Sequence, residues 1–232
     1  MKKFLALVLL ALTITACQTG IEGNGNVKEE TREAAPFTEI DVSGSFDIHI
    51  KPGNYSSVIV VTDENLLEHI ETYVKGGTLY VSPKEKLGHY QKLELLLTMN
   101  EFEGASLSGA CELQSKGMLK GDDIKLDFSG AVEAHLAVTC QELKVDMSGA
   151  SELEVKGSAR DADFEISGAG EIKAEEFKTE NCRVEISGAG EAYVYATESL
   201  DVDISGAAEV RYAGNPGEVK QDISGAATVK PL

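Results

Sequence analysis

The sequence predicts an all-β fold: a single-stranded parallel β-helix, a solenoid of about 19 residues per coil, with a small α+β insert or cap at its N-terminal side. Three observations predict it. Ser-Gly-Ala recurs from Ser108, Ser129, Ser148, Ser167, Ser187, Ser205 and Ser224, at spacings of 21, 19, 19, 20, 18 and 19 residues. Around each copy, apolar residues fall at every second position, the period of a strand with one buried face. A repeat of this length with no helical period cannot bury its own apolar face, whereas stacking on like neighbours does so. Leucine-rich repeats are the main rival, but their Leu and Asn signature is absent. An up-and-down sandwich is the second rival, and identical motifs in register suit parallel coils better.

The first element is an address. Lys2 and Lys3 precede an apolar run from Phe4 to Leu12, and Ile14-Thr15-Ala16-Cys17 resembles a bacterial lipobox. Residues 1–16 read as a lipoprotein signal peptide and Cys17 as the lipidated residue, anchored through acyl chains. Residues 17–26, rich in Gly and Asn, read as a flexible tether. Gln18 after the Cys points to the outer membrane, with the periplasmic face as first expectation and the cell surface as second.

Residues 27–107 read as an N-terminal β-rich part holding a short helix and a first coil. The imperfect motif Ser43-Gly44-Ser45 marks that coil. Val58 to Thr62 and Leu93 to Met99 read as strands, Asp63 to Thr72 as a short helix, and Tyr73 to Val81 as a hairpin across Gly76-Gly77. Residues 108–232 form the repeat β-helix, with Ser108, Gly109, Ser129, Gly130, Ser148, Gly149, Ser167, Gly168, Ser187, Gly188, Ser205, Gly206, Ser224 and Gly225 as its structural signature. The Gly column suits a corner with positive φ or a close approach of coils. The Ser column forms a hydroxyl ladder, facing either inward or outward. Seven equivalent serines without an attendant His or Lys column are not a nucleophilic site. No capping helix follows the C-terminal coil, so either Lys230 and Pro231 blunt its edge or a second subunit covers it by self-association.

The chain carries 39 acidic and 21 basic residues, a net charge of −18. Losing Lys2 and Lys3 with the signal leaves 19 basic against 39 acidic, or −20. This excludes nucleic acid, which needs a basic footprint. Much of the charge sits in two columns. Asp127, Asp146, Glu165, Glu185, Asp203 and Asp222 lie two before the Ser, and Glu112, Glu133, Glu152, Glu171, Glu191 and Glu209 lie four after it. The first column supplies weak candidates for Ca²⁺ ligands, but a solvated face partly neutralised by Lys125, Lys144, Arg183 and Lys220 accounts for it as well. No other cofactor is expected. Cys111, Cys140 and Cys182 show no metal spacing and read as small buried hydrophobes.

Residues Phe37 to Ile48 (FTEIDVSGSFDI), Asp63 to Leu67 (DENLL), Gly77-Thr78-Leu79 and the serial Ser-Gly-Ala motifs, over roughly residues 24–230, resemble the putative auto-transporter adhesin, head GIN domain family of Bacteroidota. The resemblance implies a right-handed β-helix in envelope lipoproteins and secreted proteins, with no established catalytic residues to carry over. The reading is therefore a non-enzymatic, membrane-tethered envelope protein, an adhesin-like or structural β-helix with a repetitive acidic face. Its partners are the membrane through the anchor, and a polysaccharide or an envelope protein. The alternatives are a polysaccharide lyase or glycosidase and a Ca²⁺-binding surface solenoid. Against an enzyme stands the regularity of the acids, since a catalytic carboxylate pair should interrupt the repeat.

Overall fold

The computed structural model describes residues 20–232. The signal peptide and Cys17 lie outside the described residues. The strands are β1 (Val27–Arg32), β2 (Glu39–Gly44), β3 (Asp47–Pro52), β4 (Ser57–Asp63), β5 (Ile70–Lys75), β6 (Thr78–Pro83), β7 (Leu93–Met99) and β8 (Gly104–Ser115). They continue as β9 (Leu119–Lys120), β10 (Asp123–Thr139), β11 (Glu142–Ser158), β12 (Asp161–Ile166), β13 (Ala169–Lys173), β14 (Phe177–Ile186), β15 (Ala189–Ala213) and β16 (Glu218–Pro231). Every pairing from β8 to β16 is parallel, so the chain is a β-solenoid.

Each coil has two long arms that meet at the Ser-Gly-Ala corner. Register follows the motif: Ser43 pairs with Ser108, Ser108 with Ser129, Ser129 with Ser148, and Ser205 with Ser224. The alternating apolar columns fill the interior. Leu126, Val145, Phe164, Val184 and Val202 are at most 1% exposed, as are Phe128, Ile166, Ile186 and Ile204 of the next column. A one-residue slip would turn all of them to solvent, which is why the register is strict.

The glycine column is held by close approach. An ideal Cβ on Gly109, Gly130, Gly149, Gly168, Gly188, Gly206 or Gly225 would lie 2.1 to 2.4 Å from the carbonyl oxygen of the glycine one coil earlier. No side chain fits there. The serines flanking this column point outward: Ser43 and Ser108 are half-buried, and the later ones are exposed. That settles the ladder as external. The alanines of the motif are exposed beside it.

The N-terminal part is the end of the stack, not a lobe beside it. The coil β2–β3 is laid down first. The chain then moves outward, so that β6 pairs with β2 and β7 with β3 in parallel, before returning to β8 on the inner side. Outside these, β5 pairs β6, β4 pairs β7 and β1 pairs β4, all antiparallel. Tyr73 and Tyr80 stack across the β5–β6 hairpin with ring centroids 5.0 Å apart. The expected helix from Asp63 to Thr72 is a single 3₁₀ stretch, Glu64–His69. It is shorter because Ile70 and Thr72 are taken into β5, and Asp63 makes no capping bond to it. Leu66 and Leu67 are buried beneath it, and Leu67 and Ile70 join the core and seal this end. At the opposite end β16 is exposed along its length, with Val219 and Ile223 36% and 40% exposed.

The segment read as a flexible tether is not free over its described part. Gly20–Asn26 is hydrogen-bonded to the loop between β6 and β7 and to the 3₁₀ stretch. The partners lie about 40 to 65 residues away in sequence, so a Gly- and Asn-rich composition could not reveal them.

Candidate functional site: an acidic groove along the corner

The turn at each Ser-Gly-Ala corner makes the surface concave just after it. Stacked over the coils, these hollows join into a shallow groove, wide open to solvent. Its first half is bounded by Asp47, Glu112, Glu133, Glu152 and Glu171 over a floor that includes Ala131 and Ala150, and holds about 620 Å³. A second half of about 560 Å³ continues past Glu171, Glu191 and Glu209 to Ala226. The floor is exposed alanine because the small side chain sits beside the glycine column, where coils approach most closely.

The wall is a carboxylate column longer than the repeat alone indicates. Glu94 pairs with Asp47, Asp47 with Glu112, then Glu133, Glu152, Glu171 and Glu191 follow in register, and Glu209 precedes Thr228. Asp47 lies four residues after Ser43 of the imperfect Ser43-Gly44-Ser45 copy, the place the repeat assigns to this column, whereas Glu94 belongs to no copy and only the tertiary register adds it. Two residues beyond the Glu column, on the same face, lie the countercharges. Lys173 bridges Glu152 and Glu171 at 2.6 and 3.3 Å, which raises its pKa chiefly through the Glu152 bond. Arg211 and Lys230 both reach Glu209, at 2.7 and 2.8 Å, and lower its pKa. His135 sits between Glu133 (3.0 Å) and Glu154 (3.1 Å), and its pKa is raised, first by the bond to Glu133. The Tyr193 hydroxyl donates to Glu191 at 3.0 Å.

The other acidic column lines the opposite side of the serine ladder. Asp127, Asp146 and Glu165 border a smaller hollow of about 170 Å³ with Ser129, Ser148 and Ser167. Glu185, Asp203 and Asp222 continue it in register. The Glu165 carboxyl shares a hydrogen bond with Asp146, and this bond, more than its slight desolvation, raises the Glu165 pKa. The expected countercharges are partly in place: Lys125 lies 3.2 Å from Asp127 and Arg183 2.9 Å from Glu185, but Lys220 pairs with Glu218 at 3.4 Å. Among the described residues no group of three or more His, Cys, Asp or Glu side chains is placed to hold a metal ion. Cys111, Cys140 and Cys182 are free and buried, and burial pushes the Cys140 thiol up to about 12.

A family model described as "Putative auto-transporter adhesin, head GIN domain" matches residues 36–216. No curated protein matches the chain. Among solved structures, a putative adhesin from Bacteroides fragilis superposes with a TM-score of 0.84 at 23% identity, over 92% of this chain and 100% of that one. A putative adhesin and a putative lipid binding protein, both from Parabacteroides distasonis, each give a TM-score of 0.71 at 24% identity, over 92% of this chain and 100% of theirs. These structures share the fold.

Proposed function

Because the chain belongs to the family described as putative auto-transporter adhesin, head GIN domain, we propose that it is a lipid-anchored protein of the bacterial cell envelope, non-enzymatic, whose corner groove binds an extended hydroxyl-rich polymer. The observation that carries this is the groove itself: one alanine and one carboxylate per coil, repeated along the solenoid. Carboxylates accept hydrogen bonds from hydroxyl donors, and a periodic row of them suits a periodic ligand. The alanine floor is flat and apolar, a surface for the face of a sugar ring. The net charge of −18 disfavours polyanions, so the polymer is a neutral or cationic polysaccharide.

The same regularity argues against hydrolysis. A glycosidase needs two carboxyl groups whose surroundings differ, one held protonated and one ionised, at a single scissile bond. Here each coil brings one carboxylate to the wall, and the cations beside Glu152, Glu171 and Glu209 favour the ionised carboxylate over a proton donor. Cys17 supplies the anchor, and the envelope is the compartment that such an anchor implies.

The test is a screen of the purified chain against neutral and cationic polysaccharides by calorimetry, with product analysis. Saturable binding without cleavage, lost in Glu152→Lys/Glu171→Lys with the melting temperature retained, is the expected result. Turnover of any polysaccharide, or binding untouched by the double reversal, overturns the reading.

A further inference from the structure

We propose that Gly20–Asn26 is a latch that clamps the solenoid, N-terminal end first, against the bilayer carrying its own lipid anchor. The inference rests on the proposed lipidation of Cys17 and adds the geometry of the attachment. The docking begins at once. Ile21 N–H donates to the Lys86 carbonyl at 2.9 Å, the Gly88 N–H returns a bond to the Ile21 carbonyl at 2.9 Å, and Gly23 N–H donates to the His89 carbonyl at 2.8 Å. Asp63 is fully buried and accepts from the backbone N–H of Gly25 with one oxygen and of Gln91 with the other, the latter at 2.8 Å. Asn65 clasps the segment from outside, donating to the Glu22 carbonyl and accepting from the Asn24 N–H.

The glycines are part of the device. A Cβ on Gly20 would lie 2.3 Å from the Leu87 carbonyl carbon, and one on Gly23 would lie 2.6 Å from the Asp63 carboxyl carbon. Composition suggests looseness, but the contacts show close packing.

The consequence is metric. From Cys17 to the docked Gly20 there are three residue steps, which span at most about 11 Å when fully extended. A tether free up to β1, ten steps away, would span about 35 Å. The latch also ends at the right place. Its partner loop joins β6 to β7, the outermost parallel layer of the stack. That loop carries Lys84, Lys86 and Lys92 against Glu85, in a chain of net charge −18. Beside the loop Glu22 accepts from the His89 N–H and Glu94 pairs with Lys92 at 2.7 Å, so the loop and its neighbours are balanced in charge while the bulk of the negative charge stands away. Nine parallel layers at about 4.8 Å carry the groove roughly 40 Å outward to β16.

The full chain is produced in a lipoprotein-processing bacterium, its acylation is read by mass spectrometry, and it is placed in phosphatidylethanolamine–phosphatidylglycerol vesicles bearing a headgroup spin label. A fluorophore is attached at Glu85→Cys or at Thr228→Cys, the native thiols of the body being buried. The expected result is strong quenching at position 85 and none at 228. Either Gly23→Val or a ten-residue Gly/Ser insert after Thr19 should cut quenching at 85 by at least half. The insert leaves every latch residue in place, so it separates reach from folding. Equal quenching at the two ends, or quenching at 85 unmoved by the insert, overturns the orientation while the anchor stands. A chain without acyl mass overturns the anchor and this inference together.

Discussion

Gly149→Ala adds one methyl group where the preceding coil already has its backbone. The new Cβ would lie 2.3 Å from the Gly130 carbonyl oxygen and 2.9 Å from its nitrogen, well inside contact distance. Relief requires the coils to part at the corner, at the expense of the adjoining ladder bonds. Two such bonds, at about 1 kcal/mol each, come to about 2 kcal/mol. Gly149 also has a φ of +135°, a region nearly closed to other residues, which adds about 1–3 kcal/mol. The sum is about 3–5 kcal/mol, a melting-temperature loss of about 10 °C for a chain of this size. Two further substitutions separate the causes. Gly168 lacks a positive φ, but its Cβ would lie 2.4 Å from the Gly149 oxygen, so Gly168→Ala tests contact alone. Gly25 has a φ of +76° with nothing within 4 Å, so Gly25→Ala tests backbone strain alone, at about 1–2 kcal/mol. Thermal unfolding by circular dichroism measures all three. If Gly168→Ala proves no worse than Gly25→Ala, coil contact is not the reason for the glycine column.

Three other outcomes follow from the electrostatics and burial. Glu165→Gln removes a like charge stacked on Asp146 and should stabilise the fold at pH 7 by about 0.2–1 kcal/mol. Because the folded-state pKa of Glu165 is raised, the wild type loses stability as pH climbs from the free-carboxyl range through that raised value, and the gain should vanish in urea melts run below pH 4. His135 also has a raised pKa, so its contribution is full in acid and is lost as pH rises through the folded value. His135→Ala should flatten stability between pH 6 and 8 by a few tenths of a kcal/mol, and an unchanged slope would remove His135 from the account. Cys140, whose thiol is pushed up to about 12, should resist alkylation at pH 8 in the native chain and react on unfolding, which intact-mass labelling reads directly.

Much of the fold was legible because a solenoid writes its register into its sequence. Ser129, Ser148 and their equivalents stack where the spacing puts them, and the apolar columns of Phe128 and Leu126 face inward as their alternation requires. The hairpin at Gly76-Gly77 and the strands at Val58 and Leu93 were equally readable from local pattern. Less legible was whatever depends on distant pairing. The helix expected from Asp63 to Thr72 shrank because Ile70 and Thr72 found partners in Pro83 and Val81. The acids of the groove wall were visible as a repeat column, but Glu94 joined it only through the pairing of β7 with β3.

The sequence by itself determined the coil, the period, the interior columns and the two rows of acids, because residues separated by one repeat become neighbours and one local rule covers the whole stack. The tertiary structure decided which way the serines face, that the corner is concave enough to make a groove, and that the outermost layer is built by a segment later in the chain than the layer it covers. It also decided that Gly20–Asn26 is held by Asp63 and Asn65. Those depend on backbone approach at the corner and on contacts between segments of unlike sequence, and neither leaves a periodic signal in the chain.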